Sequence, residues 1–301
     1  MTRLAAVAGT LGISLSAVFV RLADVAPTTA AVFRTGYAIP ALVAVRLAAT
    51  RRDDRPPAAR RLSFAAGLLL AADLAAWHAS IGMIGAGIAT LVANLQVIIV
   101  GLLAWFIHRE RPSLAAFLGV PVALSGILLL GGLGRSDAYG SNPVGGVLLA
   151  VLAAACYSGF LLVFRHSNRG HLAPSSGPLL DATLGAAAGS LLLSLFDEGF
   201  SLVPEWPAHG WLIALALGSQ VVSWLLISHA LPRLAALDTS VLLLMQPAAT
   251  ILWAQFLFDE DLSSAQWWGA AAVFAGIAVA ALRGAVRPTL TPREGAGRGS
   301  T

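Results

Sequence analysis

Charge is scarce in this chain, and so is cysteine. Only 11% of its 301 residues are charged, too few to clothe a water-exposed surface of this length. Cys156 is the one cysteine, so no internal disulfide is available and thiol usage says nothing about the redox compartment. No HExxH, CxxC or phosphate-binding glycine signature is present, which removes the chemistries those motifs carry. GGLGRSD at 131–137 has a superficial likeness to a dinucleotide loop, but it ends a long apolar run instead of joining a strand to a helix. His108, His166, His171 and His229 lack the carboxylate spacing that would define a metal site. No catalytic group, metal or cofactor is therefore assigned. A soluble domain is missing too. The longest polar pieces are the Arg51–Arg61 loop and the segment from Arg283 to Thr301, whose composition reads as disordered. Without an ATPase domain, self-contained primary pumping is excluded.

What the chain has in quantity is apolar length. It is 57% hydrophobic with a mean hydropathy of +0.80, more apolar surface than a water-soluble core can hide. A helix crossing a bilayer needs about 20 mostly apolar residues. Ten runs of that kind stand between charged or Pro/Gly punctuation: Leu4–Leu22, Pro27–Ala49, Leu62–Ile84, Ala86–Ile107, Ser113–Gly131, Pro143–Arg165, Ser176–Asp197, His209–Leu231, Ala236–Phe258 and Ser263–Leu282. The expected fold class is all-α integral membrane, with ten transmembrane helices. The first run is read as a span and not as a cleaved leader, because it exceeds the roughly 7 to 15 apolar residues of a signal peptide.

The net charge of +4 and a pI of 10.2 invite a nucleic-acid reading, but all 19 basic residues are arginines sorted by side, not gathered in a patch. With a cytoplasmic N-terminus, 16 of the 19 fall inside, Arg21 and Arg135 outside, and Arg34 within a span. Asp24, Asp137, Asp197, Glu198, Glu205, Asp259, Glu260 and Asp261 fall in the external turns. The expected partners are a lipid bilayer and a small-molecule solute, with no nucleic acid. Both termini are expected in the cytoplasm and the protein in the plasma membrane.

One segment is written twice. LQVIIVGLLAWFIHRE (95–110) and MQPAATILWAQFLFDE (245–260) align without a gap, and across 96–127 a 150-residue offset gives ten identities in 32 positions. Among them are Gln96/Gln246, Glu110/Glu260, Gly119/Gly269 and Gly126/Gly276. Five spans per copy is an odd number, so the second copy enters the membrane from the opposite side, giving two inverted five-helix repeats. Matched residues then lie at mirrored depths, and only central ones can be neighbours. Gln96 and Gln246 qualify, where inverted-repeat transporters build their substrate site. Glu110 and Glu260 are read as helix boundaries.

These segments resemble a known family. VFRTGYAIPALVAVR in the second run, LAWFIHRERPSLAAFLGVPVALSGILLL in the first copy and QPAATILWAQFLFDEDLSSAQWWGAAAVFAGIAVA in the second are similar to the EamA branch of the drug/metabolite transporter superfamily. The resemblance covers nearly the whole chain. It implies ten spans in two five-helix halves, cytoplasmic termini, and export or facilitated movement of a small metabolite such as an amino acid. The first copy departs from the pattern with Val97 at the position of Pro247, which counts against a symmetric pair of broken helices. The implied organisation is an N-terminal repeat over 1–137, a C-terminal repeat over 138–283 and a cytoplasmic tail over 284–301.

Ionised groups at the bilayer centre cost roughly 2.5 to 3.5 kcal/mol on insertion scales, so each needs a partner, a wet cavity or a task. Asp73 is central in the third run, with Trp77 and Ser80 on its face and His78 turned partly aside. It is read either as a proton-coupling carboxylate or, preferably, as a buried ion pair with Arg34. Arg34 is read as structural or as the fork that holds a substrate carboxylate. Asp181 is expected to reach cytoplasmic water. Gln220, Ser223 and Trp224 form one helical stripe and Gln246, Thr250 and Trp253 another, together a cavity with amide groups and aromatic walls. The alternative puts Trp224 and Trp253 against lipid or between helices. The candidate substrate-binding set is Gln96, Gln246, Arg34, Asp73, Trp77, His78, Gln220, Ser223, Trp224, Thr250 and Trp253. Ser14, Ser16, Asn94, Tyr157 and Ser158 are deep as well but are read as bonding to helix backbone. Pro247 is expected to unwind its helix beside Gln246, whereas Pro40 and Pro121 are read as packing kinks. Gly185 and Gly189 form a small-xxx-small pattern compatible with a monomer or a weak homodimer. The functional expectation is a secondary transporter, an exporter by preference, with alternating access around a midplane cavity. Its rival, an intramembrane or lipid-modifying enzyme, requires a nucleophile, base and metal ligands clustered at one interface.

Overall fold

The computed structural model describes residues 2–50, 52–108, 114–132, 137–170, 176–230, 234 and 236–284, and among them there is no strand. Helices α1 (Thr2–Ser14) and α2 (Ser16–Ala23) follow one another with an offset at Leu15. After a turn at Asp24 come α3 (Pro27–Ala48) and α4 (Pro57–Ala93), each with proline in its first turn, where a missing N–H costs nothing. Then follow α5 (Gln96–His108), α6 (Leu114–Leu130), α7 (Pro143–Asn168), α8 (Ser176–Ser194) and α9 (Ala208–Ala214). A π-helical stretch, Leu215–Val222, joins α9 to α10 (Ser223–Ala230), and α11 (Ala236–Phe258) and α12 (Ser264–Gly284) complete the order. Asn142 caps α7 by accepting the Gly145 N–H at 3.0 Å.

A helix stands at each of the ten expected runs. Five stretches are long and apolar enough to cross a membrane: Thr2–Ala23, Pro27–Ala48, Pro57–Leu103, Pro143–Asn168 and Ala208–Ala230. Shorter apolar helices occupy Leu118–Leu130, Leu244–Phe258 and Ser264–Val279. The 47-residue stretch is not one rod. At Gly85 the backbone turns to φ 82°, ψ 166°, so α4 is two helices meeting at one glycine, where the sequence runs divide. Apolar side chains stand outward as well as inward; Leu118, Leu124 and Leu128 of α6 are each more than half exposed, which suits lipid and not water. Glu110 and the segment after Gly284, expected as a helix end and a disordered tail, lie outside the described residues.

Small residues set how closely the helices approach. Helix α4 packs against α7 and α8, α3 against α8, and α1 against α10. A Cβ on Gly67 would strike the Ala182 carbonyl, and one on Gly185 the Phe64 carbonyl, so α4 and α8 touch backbone to backbone. Gly189 of α8 likewise faces Ala71 of α4. The small-xxx-small pattern is thus used inside the protomer.

The pairing of α6 with α12 carries the imprint of the repeat. A Cβ on Gly126 would lie 2.6 Å from the Gly269 carbonyl, and one on Gly276 would lie 2.7 Å from the Gly119 carbonyl. The 150-residue offset maps 119 onto 269 and 126 onto 276, so it exchanges the two contacts. The helices therefore run antiparallel, each glycine meeting the counterpart of the other. Gly126→Ala is expected to cost about 1 to 3 kcal/mol by overpacking. Gly101→Ala, where a Cβ meets nothing within 4 Å, should cost nothing. Melting curves of the two variants in detergent check the contrast, and equal curves would refute the close contact.

Candidate functional site

Midway along the bundle α1, α2, α3, α4, α5, α7, α8, α10, α11 and the π-helical stretch surround a cavity with about 800 Å³ of empty space, open solvent included. Seven of the candidate residues line it: Arg34, Asp73, Trp77, Gln96, Gln220, Trp224 and Gln246. Residues 150 positions apart, Gln96 and Gln246, thus share one cavity.

Two details of the backbone shape this lining. Asn94 and Leu95 interrupt the helix just before Gln96; Leu95 and Asn94 donate to carbonyls three residues back, and Asn94 Nδ2 donates to the Thr90 carbonyl at 2.8 Å. The unwinding expected at Pro247 is not there. Helix α11 continues through Pro247 from Ala236 to Phe258, since proline withdraws one donor and the rest of the helical ladder holds. The break falls in the other copy, where no proline stands. The second detail is the π-helical stretch. Its wider turn directs Gln220 and Trp224 at the cavity while Ser223 turns to α1, its hydroxyl donating to the Gly218 carbonyl at 2.8 Å and lying where a Cβ on Gly12 would fall.

Three more candidates stand off the cavity. Thr250 Oγ1 donates to the Ser14 carbonyl at 3.0 Å and Trp253 Nε1 to Ser14 Oγ at 3.0 Å, so both tie α11 to α1. His78 Nδ1 pairs with the Pro27 carbonyl at 3.1 Å, and the ring faces a separate vestibule nearer the helix ends. In exchange the cavity takes in Ser16, Asn94 and Tyr157, read from sequence as backbone-bonding, and Thr90 and Phe160, for which sequence gave no sign. The position of Asn94 two residues before Gln96 was the available signal: a short amide in a long apolar run competes with the helix for backbone groups.

The expected ion pair is not made. Arg34 and Asp73 are each 8% exposed, yet among the described residues no contact within 4 Å joins them. Arg34 Nε instead donates to Gln220 Oε1 at 2.6 Å, and its guanidinium lies over Trp77, 5.8 Å from the ring centroid. Five buried polar atoms of the lining have no protein partner: Ser16 Oγ, Arg34 Nη1, Trp77 Nε1, Thr90 Oγ1 and Gln96 Oε1. Each such atom costs about 1 to 3 kcal/mol when left unmade. Their clustering matches a site for a polar solute: donors near Arg34 and Trp77 for an anionic group, and Asp73 and Gln96 as acceptors for an ammonium.

The arginine-rich end is held by a clamp. Arg55, from the loop between α3 and α4, is 5% exposed, and its Nη2 meets Asp53 Oδ2 and Asp181 Oδ2, both at 2.7 Å. Its Nη1 donates to Asn168 Oδ1 at 3.0 Å, and Arg60 approaches Asp181 at 3.5 Å. Asp181 is therefore ion-paired, where a free approach to water was expected. The Arg55 hydrogen bonds hold the Asp53 carboxyl below the usual carboxylate range. A lowered carboxylate favours the folded state at neutral pH, and this contribution fades only as pH falls below the ordinary aspartate value of about 3.9.

A family model described as EamA-like transporter family matches residues 2–132 and 144–282. No curated protein matches the sequence. A solved structure entitled "Crystal structure of protein" superposes with a TM-score of 0.63 at 22% identity, covering 94% of this chain and 96% of that one. At that identity the likeness is one of fold.

Removing Arg55 strands Asp53 and leaves Asp181 with only the more exposed Arg60. Arg55→Gln is expected to lower stability by about 3 kcal/mol, and Asp181→Asn, which leaves the Asp53 pair intact, by about 1 kcal/mol. Thermal unfolding of both variants decides; the reverse order would show that the clamp is not centred on Arg55.

Proposed function

The chain belongs to the EamA-like transporter family of multi-pass membrane proteins, and from that premise we propose that it is a secondary transporter of a small solute bearing both a carboxylate and an amine, such as an amino acid. The observation that carries the reading is the open pair: Arg34 and Asp73 buried in one cavity, unjoined, in a lining with five unpartnered polar atoms, Arg34 Nη1 among them. Arg34 with Trp77 Nε1 takes the carboxylate, Asp73 with Gln96 the ammonium, and Tyr157, Phe160 and Trp224 give the apolar wall for a side chain.

Ten spans form two inverted halves, 1–137 and 138–283. The exchange of glycine contacts between α6 and α12 supports the inversion. Dividing α4 at Gly85, and taking α1 with α2, the second part of α4 with α5, and α9 with the π-helical stretch and α10 as single passes, brings the helices to ten. Both termini, with the tail over 284–301, lie in the cytoplasm and the Arg55 clamp at the inner face of the plasma membrane, an orientation that the arginine bias supports. Trp206 and Trp268, 81% and 74% exposed at the opposite end, fit the outer interface. Alternating access then proceeds by breaking contacts between the halves at one end at a time, with export as the working direction. The protein acts as a monomer or a weak homodimer, and the glycine pattern of α8, engaged within the protomer, gives no support to a dimer. Asp73, uncommitted to Arg34, is the candidate for proton coupling.

Purified protein should be stabilised against heat by free amino acids and not by their amides, by about 2.7 kcal/mol at a ligand concentration of 100 Kd. Arg34→Gln should abolish that shift. Equal shifts from acids and amides would remove the carboxylate from the reading. Gln246→Leu should lose transport while still inserting and folding. In liposomes, counterflow that persists without a pH gradient and is unchanged by Asp73→Asn would eliminate Asp73 as the coupling group.

A further inference from the structure

The end opposite the arginine-rich loop carries a second charge cluster. Glu260, in the turn between α11 and α12, is fully buried. Its Oε1 accepts the Ala86 N–H at 2.7 Å and pairs with Arg21 Nη1, and its Oε2 accepts the Gly87 N–H at 3.2 Å. Those N–H groups are free because the chain breaks at Gly85, leaving the first turn of a helix without preceding carbonyls. A Cβ at Gly85 would lie 2.5 Å from Glu260 Oε1, so glycine there serves both the turn and the carboxylate.

Just outside this latch is a vestibule with about 900 Å³ of empty space, open solvent included, whose walls include Arg21, Asp24, His78, Gly85, Tyr139 and Ser141. It shares no wall residue with the central cavity. Arg21 belongs to latch and vestibule alike: its side chain is 29% exposed, and Nη2 donates to Tyr139 Oη at 3.1 Å. His78 is 3% exposed, and with Nδ1 on the Pro27 carbonyl its Nε2 has no protein partner. Asp24 adds an exposed carboxylate.

We propose that this vestibule is a second, outer solute site, in which Arg21 is exchanged between the Glu260 carboxylate when the end is shut and the solute carboxylate when it opens. The inference rests on the transporter reading. Arg21 presents a guanidinium fork to a carboxylate, while Asp24 and His78 Nε2 accept from an ammonium, the same zwitterionic complement as in the central cavity. Once Arg21 turns to the solute, Glu260 keeps two N–H bonds and loses its cation. A buried carboxylate without a counter-charge is costly, so the α11–α12 turn is released from the Gly85 break. By linkage, a solute that binds Arg21 better in the released state favours that state by the same factor.

The test uses the full-length chain with Cys156→Ala, in right-side-out vesicles, labelled by a membrane-impermeant maleimide at one new cysteine. Thr90→Cys reports the central cavity one turn below the latch, and Ser141→Cys reports the vestibule. Thr90→Cys should label slowly, and several-fold faster when Glu260→Gln or Arg21→Gln is added; two independent variants guard against one that misfolds, and size-exclusion profiles verify each. Unchanged labelling in both overturns the latch. An external mixture of alanine, leucine and phenylalanine at high millimolar concentration should slow labelling at Ser141→Cys several-fold, the same three amides should not, and Arg21→Gln should erase the difference. Equal protection by acids and amides, or none by either, overturns the outer site. Accessibility is read without transport, so a failed transporter reading would appear in the heat-shift and flux assays while the latch result stood by itself.

Discussion

A charge buried in a membrane-spanning bundle has no water to fall back on, so it must be held by an opposite charge, by hydrogen bonds or by a solute. This constraint sorts the deep charges of the chain by position. Arg55 lies between two carboxylates at one end, and Glu260 lies between Arg21 and two backbone N–H groups at the other. Between them Arg34 and Asp73 are just as buried and stay apart. Had they closed on each other, they would have formed a structural bridge across the space a solute needs. Arg34 donates to Gln220 instead, and on the proposed reading both charges remain able to act on what enters.

Each of these interactions also joins the first copy to the second. Arg55 reaches Asp181 and Asn168, Arg21 reaches Glu260, and Arg34 reaches Gln220. The apolar contacts cannot discriminate between two arrangements of the halves with comparable sharpness, because lipid is as good a neighbour for leucine as another leucine is. Directional polar contacts between halves can. Under the proposed alternating access, three polar contacts of this kind would decide which end of the cavity is sealed, and the backbone-to-backbone glycine contacts of α6 with α12 and α4 with α8 join the same two copies without such direction.

The parts legible in the sequence were those fixed by long-range averages. Apolar runs located the helices, and the break at Gly85 fell between two runs because only glycine there accepts a left-handed turn. The repeat placed Gln96 and Gln246 together, and their central depth brought Arg34, Asp73 and Trp77 beside them. The parts that were not legible depend on single local choices. A π-helical stretch shifts the angular register downstream, so a stripe drawn with 3.6-residue spacing kept Gln220 and Trp224 and misplaced Ser223. Proline marks where a helix loses a donor but not whether the remaining ladder tolerates it, and in α11 it does. Glu260 passed as a boundary residue because its partners, two N–H groups and Arg21, lie some 170 and 239 residues away in sequence.

The two copies share a scaffold but not a lining, and this asymmetry bears on what the cavity can recognise. Both charged members, Arg34 and Asp73, come from the first copy, where the repeat offers no second arginine or matching pair near the centre. Gln220, Gln246 and Trp224 of the second copy contribute neutral amides and an aromatic face. The helix break belongs to the first copy as well, at Asn94 and Leu95. A strictly two-fold cavity would bind a solute equally well in two opposed orientations. With charge of both signs fixed on one half, the proposed solute, with a carboxylate at one point and an amine at another, would be held in one orientation, because turning it over would set like charges against each other. On the proposed reading, pseudo-symmetry serves the motion of the scaffold, and the departures from it serve selection of the solute.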